Sequence, residues 1–484
     1  MGKSHMYYSG TLVDKLVHRG HTVDMLVMNW NDEAKIPGSK LLRKIYNIDH
    51  PHSPYAEATH LQDPFFTGHA NAFQVFGQCR ILFCELLMSN TQLINQLKIE
   101  NYDLALVAPF DGSGLSLAHI LGINSTAIYV ATSSYDYIYQ GLGIPTLPSY
   151  ITSVFTPIAP GRRLTFAERI ESFLQFYTSS TEWFNEEVRN SEHPIITKYY
   201  PDTPRYTQLF KNVSYVFLNM PELLDIGRPI SSKIKFIGGI HVEDDLKKDK
   251  KALPEEYEQI LSSHPKGTVI FSLGSQIMMH TVPIQIRDAM IKAFSHFPEY
   301  SFIWKHDKPE EMSNLNVTNV FFKKWLPQKE LLADSRIRCF ITHMGLNSYA
   351  ELAFAGVSTI MIPLFADQEF NAGVAESKNL GITLDKKKIT YETLKEALTK
   401  VLTDPQYDTT AKMYAKMLRT QPFSPSETFV KYVEYAIENP RISDVIQLKS
   451  AYMGWSEMYS YDVLGLYAAT AVLGYICQKD PFLP

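Results

Sequence analysis

The chain has 484 residues, of which 45% are hydrophobic and 20% charged, and its net charge is −5. That length suits two to four domains, two being typical of large α/β enzymes, and the apolar share implies a sizeable buried core. No basic tract stands out, which argues against a nucleic-acid partner, and the four cysteines (Cys79, Cys84, Cys339, Cys477) have neither zinc spacing nor the density of a disulfide framework.

The first residues, "MGKSHMYYSG", read as a Gly-Lys-Ser-His turn that carries His5. A helix is expected over residues 11–20, closed by Gly20, then a strand in "HTVDMLV". Helix, glycine and strand in that order form the unit of a parallel α/β sheet. The unit recurs: "YDLALVAPF" and "NSTAIYVAT" are strands around the helical "GLSLAHILGI", and "FKNVSYVFLNM" and "KIKFIGGI" close a first half, residues 1–240. Aromatic runs such as "FFTGHANAFQVFGQ" and "YDYIYQ" fall in this half, and "RRLTFAERIESFLQFY" (162–177) reads as an amphipathic helix with a basic start. Three Asn-x-Ser/Thr sequons, at Asn124, Asn212 and Asn316, are about what chance gives.

A charged stretch without apolar periodicity, 241–253, reads as a linker. A second α/β series over 254–420 follows, with strands in "GTVIFSLGS", "YSFIWK", "NVFFKKWL", "RCFITH" and "STIMIPL". Cys339, in "RCFIT", is a small core residue on this reading. Helices over 421–460 lead to a last segment, 461–484, whose run 463–477 is uncharged and apolar. As a helix it would span ~22 Å against the ~30 Å of a hydrocarbon core. It reads either as a docked helix or as part of a membrane anchor. Two parallel sheets joined by a linker place a cleft between them, and open α/β sheets bind ligands beyond the carboxyl ends of their strands.

The densest chemistry lies in "RCFITHMGLNSYAELAFAG". A strand ends at His343, a short turn holds Gly345, and a helix follows. Free N–H groups and the positive end of a helix dipole favour a phosphate there, with His343 as a donor. Ser348-x-x-Glu351 also has the spacing of a capping box, the structural alternative for both residues. "GTVIFSLGS" repeats the strand-to-glycine step with Gly274 and Ser275, where the backbone can approach a ligand closely. Asp367 and Gln368, just past "STIMIPL", suit sugar hydroxyls, which both donate and accept.

Trp325 with Pro327-Gln328, His343-x-Gly345-x-Asn347-Ser348, Glu351, and Pro363-Leu364-Phe365-Ala366-Asp367-Gln368 together resemble the signature of the UDP-glycosyltransferases, the UDP-glucuronosyl/glucosyltransferase family with a GT-B fold. Resemblance extends more loosely from His5 to the C-terminal apolar run. It implies that Trp325 stacks on uracil with Gln328 near base and ribose. His343, Asn347, Ser348 and Ser275 would hold the pyrophosphate, Glu351 the ribose hydroxyls, and Asp367 and Gln368 the sugar. The family usually has two glycines after the histidine. Here Met344 takes the first place, where its side chain would either crowd the phosphate or point away.

The resemblance also implies a direct, inverting displacement with His5 as base, no metal and no cofactor beyond the UDP-sugar co-substrate. An aspartate would orient the imidazole. The family's usual position for it is Ala108, so Asp111 is the nearest candidate, with a turn role in "FDGSG" as its alternative. A small lipophilic acceptor, membrane association, an endoplasmic reticulum location with a lumenal catalytic domain, and a possible homo-oligomer are further expectations of the resemblance. No signal-peptide pattern opens the chain. The family's first core strand would precede His5, which leads us to expect an incomplete N-terminus and a gap in the first sheet. A family member that binds nucleotide or a partner without transfer is the alternative function.

Overall fold

A computed structural model describes residues 3–30, 38–57, 65, 70–133, 135–154, 156, 158–184, 190–243, 252–275 and 277–479. In the first half, strands β1 (Asp24–Asn29) and β2 (Lys44–Asp49) pair in parallel. Strands β3 (Leu104–Val107), β4 (Ser125–Val130), β5 (Tyr215–Leu218) and β6 (Ile234–Phe236) form a separate parallel sheet in that order. Among the described residues no backbone ladder joins β1 to β3. Side chains connect the two regions: Asp24 accepts from the Tyr102 hydroxyl at 2.7 Å and from Arg43 Nε at 2.8 Å, and Arg43 also pairs with Glu100 at 2.7 Å.

The N-terminal turn expected around His5 is helical instead. One helix runs Lys3–His18 and takes in His5. Tyr8, Leu12 and Leu16, spaced by four, are buried against Ala127 and Phe217 of the four-stranded sheet. Gly10, which looks like a breaker, sits inside this helix for a packing reason. A Cβ there would lie 2.1 Å from the Gly38 backbone, so the 38–40 loop can cross only over glycine.

The second half holds a six-stranded parallel sheet ordered β12-β11-β10-β7-β8-β9. Its strands are β7 (Thr268–Ser272), β8 (Ser301–Lys305), β9 (Val320–Lys323), β10 (Ile337–Thr342), β11 (Thr359–Met361) and β12 (Gly381–Thr383). Alternate residues feed opposite faces. Val269, Phe271, Cys339 and Ile341 enter one core with Phe294 and Trp304, whereas Ile270 and Phe340 enter another with Tyr349 and Leu352. Cys339 is a core residue, as read. The strand order reverses between β10 and β7, so a crevice opens beyond their carboxyl ends.

Between the halves, residues 244–251 of the expected linker lie outside the described residues, as do 66–69 of the first aromatic run and the tail 480–484. The helix Pro425–Glu438 does not stand apart with a C-terminal group. It returns to the first sheet, where Phe429 and Val433 pack on Tyr215 and Phe217, with Phe217 and Phe429 edge to face at 5.0 Å. The last helix, Tyr461–Lys479, exposes Leu464, Leu466, Tyr467, Val472 and Leu473. Among the described residues no helix is long and apolar enough to cross a membrane.

Candidate active site

Two β-to-α turns meet at the switch point. Gly274, just past β7, has φ +85°. The Lys305 amine at the end of β8 donates to its carbonyl. Past β10, His343 is half-buried against both glycines: a Cβ on Gly274 would lie 2.7 Å from its ring, and one on Gly345 2.6 Å from Nε2. The glycines thus seat the imidazole as well as opening the turn. Burial, with Lys305 nearby, pushes the His343 pKa down to about 4, so the ring is neutral at pH 7 and holds one N–H for an anion.

Gly345 is the N-cap of the helix Leu346–Ala355, and no side chain caps it. The first N–H groups of the helix are left to a ligand. The capping box that Ser348 and Glu351 could have made is absent, because Ser348 already lies inside the first turn. Both residues turn to Gln328 instead, whose Nε2 donates to Ser348 Oγ at 3.2 Å and to Glu351 Oε2 at 2.6 Å. Met344 takes φ +63°, a left-handed conformation that costs a side-chain-bearing residue ~1–2 kcal/mol. Its side chain is fully buried in the core beneath the turn, and its carbonyl accepts from Asn371 Nδ2 at 3.0 Å. Of the two alternatives for this departure, that burial fits pointing away.

Trp325 is 60% exposed, with the Lys305 amine 5.5 Å from its ring centroid, and presents a flat face for stacking. Ser275 is exposed at the rim. Three further expected ligands are engaged by the protein itself. Asn347 Oδ1 accepts from Asn219 Nδ2 at 2.9 Å. Asp367, 5% exposed, accepts from the Ser133 backbone N–H at 2.8 Å and from Asn371 Nδ2 at 3.3 Å, and burial raises its pKa. Gln368 Oε1 accepts from the N–H groups of Leu364 (2.9 Å) and Phe365 (3.2 Å). Asn219 and Ser133 belong to the first half, so these bonds cross the cleft.

His5 lies in the first turn of its helix, its ring edge-on to Phe110 at 5.6 Å; Phe76 stands 6.2 Å beyond Phe110. Burial above all lowers its pKa to about 4, and Nδ1 has no partner. Asp111 is not joined to it. The Asp111 Oδ1 accepts from the Ser113 N–H at 2.9 Å, two residues on, in the turn before the helix Ser113–Ile120, which is its turn role. Burial and then Glu192 raise the Asp111 pKa to about 6, against the pull of Arg80. Two residues later in the His5 helix, the Tyr7 hydroxyl meets Lys329 Nζ at 3.2 Å, next to Gln328. The first half thereby reaches the start of the helix Gln328–Leu332 in the second.

Lys305, Asn219, Ser133 and Asn371 were not expected. Lys305 had a usable signal, a cation at the carboxyl end of "YSFIWK". Asn371 had one too, four residues past Asp367 at helical spacing; Asn219 and Ser133 had none, since only the packing of the two halves brings them to the site. Among the described residues no cluster of His, Cys, Asp and Glu could hold a metal.

Two parallel-sheet halves facing a cleft, with a glycine turn at the switch point of the second, make up the GT-B fold. Residues 1–480 match the family described as UDP-glucoronosyl and UDP-glucosyl transferase, and the chain belongs to that family of UDP-sugar-dependent enzymes. Mouse UDP-glucuronosyltransferase 1A9 is 29% identical over 97% of this chain and 88% of its own. A putative UDP-glucuronosyltransferase of Caenorhabditis elegans, ugt-47, is 26% identical over 92% and 84%. Among solved structures, the spinosyn forosaminyltransferase SpnP superposes with a TM-score of 0.59 at 14% identity, covering 90% of this chain and 97% of its own. That likeness is one of fold.

Proposed function

We propose that this enzyme transfers a hexose, glucose or glucuronic acid, from its UDP-sugar to a hydroxyl of a small lipophilic acceptor, with inversion and without a metal. The observation that carries this reading is His5. It is neutral, its Nδ1 is unbonded, and Phe110 lies edge-on to it with Phe76 behind Phe110, an apolar wall of the kind a lipophilic acceptor would need. In this reading His5 takes the proton of the acceptor hydroxyl as that oxygen attacks the anomeric carbon. UDP leaves toward the uncapped helix at Gly345, where the N–H groups, His343 and Lys305 meet its charge. Trp325 stacks on the uracil, and Glu351 takes the ribose. Asp367 reaches the sugar once the Ser133 contact opens.

We further infer membrane association at the endoplasmic reticulum, with the catalytic halves lumenal. The supporting feature is the exposed apolar helix Tyr461–Lys479. Phe166, Ile170, Phe173 and Leu174 of the helix Phe166–Phe184 add a second exposed apolar stripe. That helix also meets the C-terminal region through Phe176 and Trp455, whose rings are 5.6 Å apart.

The test is His5→Ala, assayed by UDP release over a panel of lipophilic alcohols and phenols, with UDP binding followed by calorimetry. Loss of a general base predicts a turnover fall of about 10²–10⁴-fold with UDP affinity unchanged. Undiminished turnover would remove His5 as the base. UDP binding without transfer by the unaltered chain would favour the non-catalytic reading, which the occupied state of Asn347 and Asp367 supports.

A further inference from the structure

We propose that His241 is a positioning residue of the nucleotide site, holding the Glu351 carboxylate in place for the ribose. The proposal rests on the donor-site reading above. His241 belongs to the first half, five residues past β6, and nothing in its surroundings "IGGIHV" marks it as functional. Yet its side chain is 0% exposed, and both ring nitrogens lack a hydrogen-bond partner. A polar ring sealed from water with two bare nitrogens is unfavourable, and native interiors rarely keep one without a reason.

The reason lies across the cleft. His241 Nε2 is 3.5 Å from Glu351 Oε1, just beyond a well-made hydrogen bond. The other oxygen of Glu351 is already fixed, by Gln328 Nε2 at 2.6 Å. Glu351 is 11% exposed, so little water competes for it. The backbone around His241 is tied to the same turn: its carbonyl accepts from Lys329 Nζ at 3.1 Å, next to Gln328. A carboxylate gripped on one oxygen by Gln328 and steadied on the other by His241 cannot rotate freely. Its remaining lone pairs then point where two vicinal hydroxyls can donate to them. A closing movement of ~0.5 Å converts the loose contact into a charge-assisted bond. His241 thus stands to Glu351 as an outer partner stands to a ligand it orients, and it ties nucleotide binding to the closed arrangement of the halves.

Calorimetry on the full chain tests this with UDP and 2′-deoxy-UDP as probes. The proteins are the unaltered chain, His241→Leu, His241→Asn, Glu351→Gln and the His241→Leu/Glu351→Gln double variant. His241→Leu should weaken UDP by about tenfold and shrink the preference for UDP over its deoxy analogue. His241→Asn, which keeps a donor, should recover part of both and stands in if the leucine variant fails to fold. In the double variant the loss should be no greater than in Glu351→Gln alone, because the histidine acts through that carboxylate. If Glu351→Gln collapses the preference while both His241 variants leave it intact, His241 is only a packing residue. If Glu351→Gln itself leaves the preference intact, the ribose assignment falls and the role of His241 with it. Multiplicative losses in the double variant would likewise overturn the proposal.

Discussion

Asp111 carries a carboxyl whose proton is held more tightly folded than unfolded, with its pKa raised to about 6 by burial and by Glu192. Its contribution to stability is full below pH ~4, the unfolded value, and is lost as the pH rises through 6. Asp111→Asn removes that penalty and keeps an oxygen for the Ser113 N–H. We expect the variant to gain about 1–3 kcal/mol at pH ~7.5 and nothing at pH ~3.5. Urea denaturation at the two pH values measures the difference, and an equal effect at both would refute burial of the charge as its cause. The same substitution bears on His5. If Asp111 orients the imidazole during turnover, transfer should fall although stability rises; if its work is the Ser113 bond, transfer should hold. Met344 shows the same economy at one residue. Its left-handed backbone is strained, but its side chain fills the core and its carbonyl is held by Asn371.

The strand-to-helix turn is the working element of the second half, and its two glycines make different demands. Gly345 has an ordinary φ of −57°, so only the His343 ring, 2.6 Å from where a Cβ would stand, opposes a side chain there. Gly274 faces the same ring at 2.7 Å and also sits at φ +85°. Gly345→Ala should therefore cost about 1–3 kcal/mol through crowding alone. Gly274→Ala adds roughly 1–2 kcal/mol of backbone strain. Both should weaken UDP binding by displacing His343. Thermal or urea denaturation ranks them, and a Gly345 variant less stable than the Gly274 variant would contradict the geometry. At the same scale, the helix Lys3–His18 shows why Gly10 misleads. Its missing Cβ answers the Gly38 loop, not the helix.

At the scale of the molecule, the halves are tied by side chains from both. Asn219 meets Asn347, Ser133 meets Asp367, and Tyr7 meets Lys329. The helix Pro425–Glu438 adds a return packing onto the first sheet. On the proposed reading, a donor entering this cleft exchanges the first two contacts for its own, which links binding to opening. One outer region stays apolar: the helix Tyr461–Lys479 and the stripe at Phe166, Ile170, Phe173 and Leu174. Burying a large apolar side chain is worth about 1.5–3 kcal/mol at most. Ile170→Glu with Phe173→Glu should therefore cut sedimentation with phosphatidylcholine vesicles by about tenfold or more. Unchanged co-sedimentation would assign that stripe to another surface.

Five strands in each half were legible because period-two and period-3.6 patterns are local, and a buried parallel strand such as "TVIFS" leaves little else to choose; the strands β2 and β12 and the helices Ala70–Ser89 and Thr91–Glu100 were not read. The turn at His343 was legible for the same reason, since a glycine between strand and helix acts on its own neighbours. Trp325 through Gln368 could be grouped because they lie within one sequence segment. The sequence by itself thus determined an α/β enzyme of two parallel-sheet halves, a glycine turn between strand and helix, and the family signature. It could not show that the first turn is helical, since the partner of Gly10 is Gly38, far along the chain. Nor could it show that Ser348 and Glu351 serve Gln328 instead of a cap, or that Met344 points inward. The reach of Asn219, Ser133 and His241 into the second half was decided only by tertiary structure. Such contacts join residues more than a hundred positions apart, and they exist only where the packing of two sheets brings their edges together.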